Sequence, residues 1–193
     1  MTAILNQQFR RQMGGEFHAS RMPTTYLTHN VFDYNMHATV LSLMPGVYLF
    51  DIVQSGPGNL LQFRAVNPGG NNPGAFSAYW CPYTPKGAHT VVLGNAAQYF
   101  FTPPLNGCIL EINLPAVTHH GGSIHPWPPV SLNGLPWGGR SGRRIWDNNQ
   151  MTPGGHVNSN VVGVRTSGGW RFYQQSFNFL PSVPLATQVV SEI

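Results

Sequence analysis

The sequence predicts an α+β fold, a β-sandwich-like core of mixed sheets flanked by an N-terminal helix and long loops. Three observations predict it. Short apolar, β-branched and aromatic runs recur along most of the chain, separated by Gly, Pro and Asn turn signals. Helical spacing of apolar residues is confined to the segment from Ala3 to Met13. Only 8% of the 193 residues are charged, against about 25% in a typical domain. That is too few Glu, Lys and Arg for long helices or a coiled coil. The 22 glycines have no period, which excludes collagen. At 41% hydrophobic and 12% aromatic residues, the chain has enough apolar surface for a sizeable core and is unlike a disordered one.

The elements follow in order. Ile4, Leu5, Phe9 and Met13 lie on one helical face, and Gly14-Gly15 stops the helix. Strand-like runs then occupy 37–43, 47–53, 60–66, 76–81, 89–93, 97–101, 108–114, 160–165 and 170–180. Between them stand Pro45-Gly46, Gly56-Pro57-Gly58, the stretch 68–74, Pro85-Lys86-Gly87 and Gly94-Asn95. Many short strands at this spacing predict packed sheets. Residues 121–159, rich in Gly, Pro, Trp and Asn, are expected to form a long surface excursion within one domain.

The net charge of +4 reflects a shortage of acids, six in all, rather than an abundance of bases. Lys86 is the only lysine. A basic face for nucleic-acid phosphates is hard to assemble, so no nucleic-acid partner is expected. The one basic cluster, Arg140, Arg143 and Arg144, fits a solvated loop or a dock for an acidic surface. The N-terminus lacks the apolar core of a signal peptide, and no apolar run approaches a membrane span. A soluble protein without a membrane partner is expected.

Two cysteines do not make a disulfide scaffold, although a single Cys81–Cys108 bridge stays open. His119, His120 and His125 lack carboxylate and cysteine company, so no metal and no cofactor is expected. The six scattered acids give no carboxylate pair by spacing. The informative stretch runs from Thr102 to His120. A strand ends at Thr102, Pro103-Pro104-Leu105-Asn106-Gly107 turn the chain, and Cys108 opens the next strand. A glycine before a cysteine permits a tight bend and close approach to the sulfur. Backbone N–H groups in such a turn lack ladder partners and suit an oxyanion. Histidine beyond the Pro115 break can return to the same end of the sheet, and a Cys–His pair is the minimum for thiolate attack on a carboxamide. The plain alternative is a core thiol: by alternation Cys108 shares a face with Leu110, Ile112 and Leu114.

These residues resemble the active-site region of the Burkholderia lethal factor family of glutamine-deamidating toxins, related in fold to the catalytic domain of the cytotoxic necrotizing factors. That family has a Leu-Ser-Gly-Cys turn, a threonine six residues before the cysteine and a histidine twelve after it. Here the turn is Leu105-Asn106-Gly107-Cys108, Thr102 lies six before, and His120 lies twelve after. Phe100-Phe101 before Thr102 also fits, and Val161-Val162-Gly163-Val164 and Tyr173-Gln174-Gln175 echo the family's closing strands. The match covers about a tenth of the chain, and Asn106, which tolerates tight turns, replaces the motif serine.

The resemblance implies a single catalytic domain over residues 1–193 that converts a glutamine of a host protein to glutamate. Cys108 is then the nucleophile, His120 its base and Thr102 the group that orients the imidazole. Leu105, Asn106 and Gly107 shape the turn, and backbone amides including that of Cys108 hold the oxyanion. His119 competes for the base role, and alternation points it the other way. The implied target is a translation-initiation RNA helicase, ahead of a small GTPase. The resemblance also implies a monomer made in the bacterial cytoplasm and secreted or delivered to the host cytosol, acting as a virulence factor that inhibits translation. Trp127, Trp137, Arg140, Arg143 and Arg144 are candidate substrate contacts, with ordinary loop packing the equal alternative. Two other readings remain: transglutamination by the same Cys–His pair, and a non-catalytic β-rich binding or structural module.

Overall fold

Period-two alternation sorts the strand side chains into two apolar layers, one on each face of a large central sheet. A computed structural model describes residues 2–14, 22–32, 37–56, 60–105, 108–121, 143–147, 158–177 and 188–192. The elements are α1 (Thr2–Gly14), α2 (Met22–His29), β1 (Val31–Phe32), a 3-10 turn (Ala38–Val40), β2 (Gly46–Gln54), β3 (Leu60–Val66), β4 (Phe76–Trp80) and β5 (Ala88–Val92). They continue with β6 (Tyr99–Phe101), β7 (Ile109–Asn113), β8 (Ala116–His120), β9 (Arg143–Asp147), β10 (Asn158–Thr166), β11 (Gly169–Phe177) and β12 (Gln188–Glu192). The large sheet has the order β1-β3-β2-β4-β6-β10-β11-β12, and the small one β5-β8-β7-β9. The large sheet is mixed, because β1 runs parallel to β3 and β4 parallel to β6. The expected α+β sandwich of mixed sheets is the fold observed.

On one face, Ala78, Trp80, Tyr99, Phe101, Val162, Val164 and Tyr173 pack against Phe9, Met13, Tyr26 and Leu27 of the two helices. Phe9 is the centre of this layer: it stacks on Phe76 at 4.9 Å and meets Tyr99 at 5.0 Å. On the other face, the alternate residues Tyr79, Cys81, Phe100, Val161 and Phe172 pack against Val91, Leu110, Ile112 and Val117 of the small sheet. The result is three layers, helices on sheet on sheet. Gly163 makes the second layer possible. It pairs with both Phe100 and Phe172, whose rings meet edge to face at 5.7 Å across it. A Cβ there would lie 2.9 Å from Phe100 Cβ and 3.0 Å from the Phe172 ring.

Side chains finish the ladders where strands stop. β2 pairs with β4 only from Gly46 to Phe50, and beyond that point Asn6 Oδ1 accepts from the Ile52 N–H at 2.7 Å. Gln175 ties the helical layer to the sheet: its Oε1 accepts from Phe32 N at 3.0 Å, and its Nε2 donates to the carbonyl of Asn30 at 2.6 Å.

The run 37–43 is not a strand. His37 Nδ1 accepts from Thr39 N at 3.3 Å and starts the 3-10 turn, and Thr39 Oγ1 then accepts from Ala65 N at 3.0 Å. This segment covers the edge of β3 where the two-residue β1 has ended. The expected surface excursion from 121 to 159 contains β9, and β8 ends directly before it. The run 170–180 forms a strand over Gly169–Phe177, and 178–180 lie outside the described residues.

Gly163→Ala is expected to destabilise the protein by about 1–3 kcal/mol, since the nearest atoms belong to packed rings. Gly168→Ala, whose added Cβ would meet only Thr166 Oγ1 at 3.8 Å, should stay within about 0.5 kcal/mol of the parent. Denaturant unfolding of the two variants checks the difference.

Candidate active site

Three strand ends meet at one edge of the interface between the sheets. Parallel pairing of β4 and β6 continues one residue past β4, with Cys81 N donating to Phe101 O at 3.0 Å. That brings the Cys81 carbonyl beside Thr102, whose hydroxyl donates to it at 2.9 Å. The same hydroxyl oxygen lies 2.6 Å from His119 Nδ1 on β8. Thr102 is 6% exposed and His119 is completely buried.

A hydroxyl has one proton, and a carbonyl oxygen only accepts. The Thr102 proton therefore goes to the Cys81 carbonyl, and the hydroxyl oxygen receives a hydrogen bond from His119 Nδ1–H. This fixes the tautomer and leaves Nε2 as the nitrogen with a bare lone pair. Nε2 is buried and has no hydrogen-bond partner among the described residues, an arrangement that normally costs stability and marks a site worth explaining. Burial lowers the His119 pKa from 6.5 to about 3, assisted by the like charges of His120 and His89 and opposed by the Cys81 carbonyl. The imidazole is neutral at pH 7.

Cys108 lies on the same inner face. It is 5% exposed and packs in one cluster with Leu110 and Ile112, so it continues their alternation. Leu110 pairs with His119 across the β7–β8 hairpin. Cys108, two residues earlier on β7's side, is thus the diagonal neighbour of His119, a relation that places Cα atoms about 7–8 Å apart. Both cysteines are thiols. They are not equivalent: the Cys81 Sγ–H donates to His89 O at 3.2 Å, and burial pushes its pKa up to about 12, against backbone hydrogen bonds that lower it. Cys81 is a structural thiol.

The twelve-residue spacing from Cys108 reaches the outer face of β8. His120 is paired with Ile109 and lies on the outer side, where its Nε2 is 3.0 Å from Glu111 Oε2. His119, expected to point away, is the histidine on Thr102, because a single step along a strand reverses the side chain. Thr102, Cys108 and His119 are brought together, and His120 is not. Leu105 is fully buried in the same cluster as Cys108, and Asn106 and Gly107 lie outside the described residues. So do Trp127, Trp137, Arg140 and His125. Arg143 and Arg144 are on β9, at the register positions of Asn113 and Ile112. Among the described residues no group of three His, Cys, Asp or Glu side chains could hold a metal. No helix of the described residues is long and apolar enough to cross a membrane.

Two residues at this edge were not singled out by the sequence. His89 on β5 pairs directly with His119, and the Tyr83 ring lies 5.7 Å from the His119 ring at 55°. His89 is legible from the alternation of its own run, since Val91 two residues on is buried. Tyr83 sits in a connection, where no periodicity announces it.

No protein-family model matches the chain, and no curated protein matches it. Among solved structures, the C-terminal domain of CNFy from Yersinia pseudotuberculosis is similar with a TM-score of 0.37 and 10% identity, over 98% of both chains. Those values do not carry an activity from that domain to this one.

A buried neutral histidine makes stability depend on pH. The unfolded chain binds a proton near 6.5, whereas folded His119 resists it down to about 3. Stability from this group is complete above 6.5 and falls as pH drops through that window, by up to about 1.4 kcal/mol per pH unit. Urea unfolding between pH 7 and 4 should show a shallower decline in His119→Asn than in the parent.

Proposed function

We propose that the chain is a thiol-dependent amidohydrolase that deamidates a glutamine side chain, with Cys108 as nucleophile, His119 as the proton acceptor and Thr102 as its positioning residue. The observation that carries this is His119 Nε2, which is buried, without a hydrogen-bond partner among the described residues, and on the same inner face as Cys108. A neutral imidazole in that tautomer is ready to take a proton from a thiol. Burial disfavours an isolated imidazolium, so proton transfer is coupled to formation of the thiolate beside it, and the two charges compensate each other.

The thiolate attacks the carboxamide carbon, and the carbonyl oxygen becomes an oxyanion held by the backbone N–H of Cys108. The imidazolium returns its proton to the departing ammonia. Water, deprotonated by the same Nε2, adds to the thioester, and glutamate leaves as the thiol is restored. Every group required is a thiol, an imidazole, a hydroxyl or a backbone amide. The substrate comes from the resemblance of the Thr102–Cys108 segment: a glutamine of a host protein, with a translation-initiation RNA helicase as the first candidate, for a chain acting as a bacterial toxin.

Wild-type protein added to a eukaryotic lysate should produce Gln-to-Glu conversion detectable by peptide mass spectrometry. Cys108→Ser and His119→Ala should each lower it by about 10²-fold or more, while His120→Ala stays within about twofold. Loss of conversion in His120→Ala with retention in His119→Ala would contradict the assignment. Amine adducts in place of glutamate would identify transglutamination, and identical lysates with wild type and Cys108→Ser would favour a non-catalytic module.

A further inference from the structure

Cys108, His119 and Leu105 are all closed to solvent, so a carboxamide must enter past whatever covers them. The β4–β5 connection lies over this edge. Gly121 follows β8 on the inner face, two residues beyond His119. The β7–β8 register, extended by one step beyond its last pair, sets Gly121 opposite Cys108. A Cβ at Gly121 would run into the backbone carbonyl of Thr84 and would lie 3.0 Å from Tyr83 Cε2. Gly121 N also donates to Gly87 O at 2.8 Å. Within the connection, Gly87 N donates to Thr84 O at 3.4 Å, and Lys86 takes a φ of 58° to close the turn. Residues 83–87 are therefore strapped across the end of β8, and only a glycine at 121 lets them sit there.

Tyr83 is the part of this strap that faces both ways. Its ring lies against His119 and beside Gly121, so it covers the diagonal on which Cys108 and His119 meet, yet it is 42% exposed. We infer that Tyr83 is the specificity-determining residue of the thiol site: its ring is the wall at the mouth, against which the unbranched CH₂ stem of a glutamine packs as its carboxamide reaches Cys108. This inference rests on the amidohydrolase reading for its substrate, but the placement of the wall does not depend on it. An aromatic face suits a thin aliphatic stem, and the closed strap excludes broad acyl groups.

Alkylation by iodoacetamide, followed residue by residue with mass spectrometry, reports access to Cys108 without requiring any activity. Tyr83→Ala should raise the rate at Cys108 by about tenfold or more, leave Cys81 unchanged, and be matched to wild type by Tyr83→Phe. An unchanged Cys108 rate, or an equal rise at Cys81, would overturn the wall. With a glutamine peptide as substrate, Tyr83→Ala should raise KM with kcat retained, and Tyr83→Phe should restore it. Unchanged KM would overturn the specificity role. Faster Cys108 labelling in Tyr83→Ala alongside a wild type that releases no glutamate would retain the wall and remove the amidohydrolase reading instead.

Discussion

The single proton of the Thr102 hydroxyl is the constraint on which the site depends. Donated to the Cys81 carbonyl, it joins the ends of β4 and β6 in the large sheet. The oxygen left behind accepts from His119 on the small sheet, so one side chain joins both sheets. The proposed chemistry rests on the same distribution of protons. If the hydroxyl donated to His119 instead, the Cys81 carbonyl contact would lack a proton and Nε2 would carry a hydrogen. As built, Nε2 keeps its lone pair on the side shared with Cys108, and burial holds the ring neutral.

The fold class was legible in the sequence, and so was the proximity of two members of the proposed site, Thr102 and Cys108, for physical reasons that also explain the rest. Thr102 and Cys108 flank one connection, so their spacing survives whatever the surrounding sheet does. The histidine depends on register, where an error of one residue reverses the face. The hairpin turn holds the missing information: Leu114-Pro115 is the whole of it, and β8 begins at Ala116. If Cys108, Leu110 and Ile112 face inward, a two-residue turn sends Val117 and His119 inward with them. The family's spacing of twelve leads instead to His120, which faces outward beside Glu111. Elsewhere, α2 escaped notice because Thr24, Thr25 and Thr28 weaken its helical pattern. It is held by tertiary contacts, with Tyr26 and Leu27 buried against the large sheet. The run 37–43 had β composition, but its polar His37 and Thr39 formed local hydrogen bonds that a strand would forgo.

The scarcity of charge fits the location of the site. A packed interface between two sheets, lined by rings and aliphatic side chains, tolerates neutral polar groups far better than fixed ions. Of the ion pairs among the described residues, His120–Glu111 lies on the outer face of the small sheet, and Arg64–Asp51 joins β3 to β2, away from the strand ends where Thr102 and His119 meet. What the inter-sheet edge contains is the Thr102 hydroxyl, two thiols, the imidazoles of His119 and His89 and the Tyr83 phenol, with burial holding His119 neutral. Gly163 and Gly121 serve the same close packing at opposite levels. The first lets two phenylalanine rings meet between the sheets, and the second lets the strap carrying Tyr83 lie across the end of β8.

The most direct test of this account is the protonation of His119 in the resting protein, read from ¹⁵N–¹H correlations of the histidine ring nitrogens at neutral pH. A proton on Nδ1, hydrogen-bonded to Thr102, and an unprotonated Nε2 are expected, with that pattern lost in Thr102→Val. A proton on Nε2, or an imidazolium at pH 7, would contradict it.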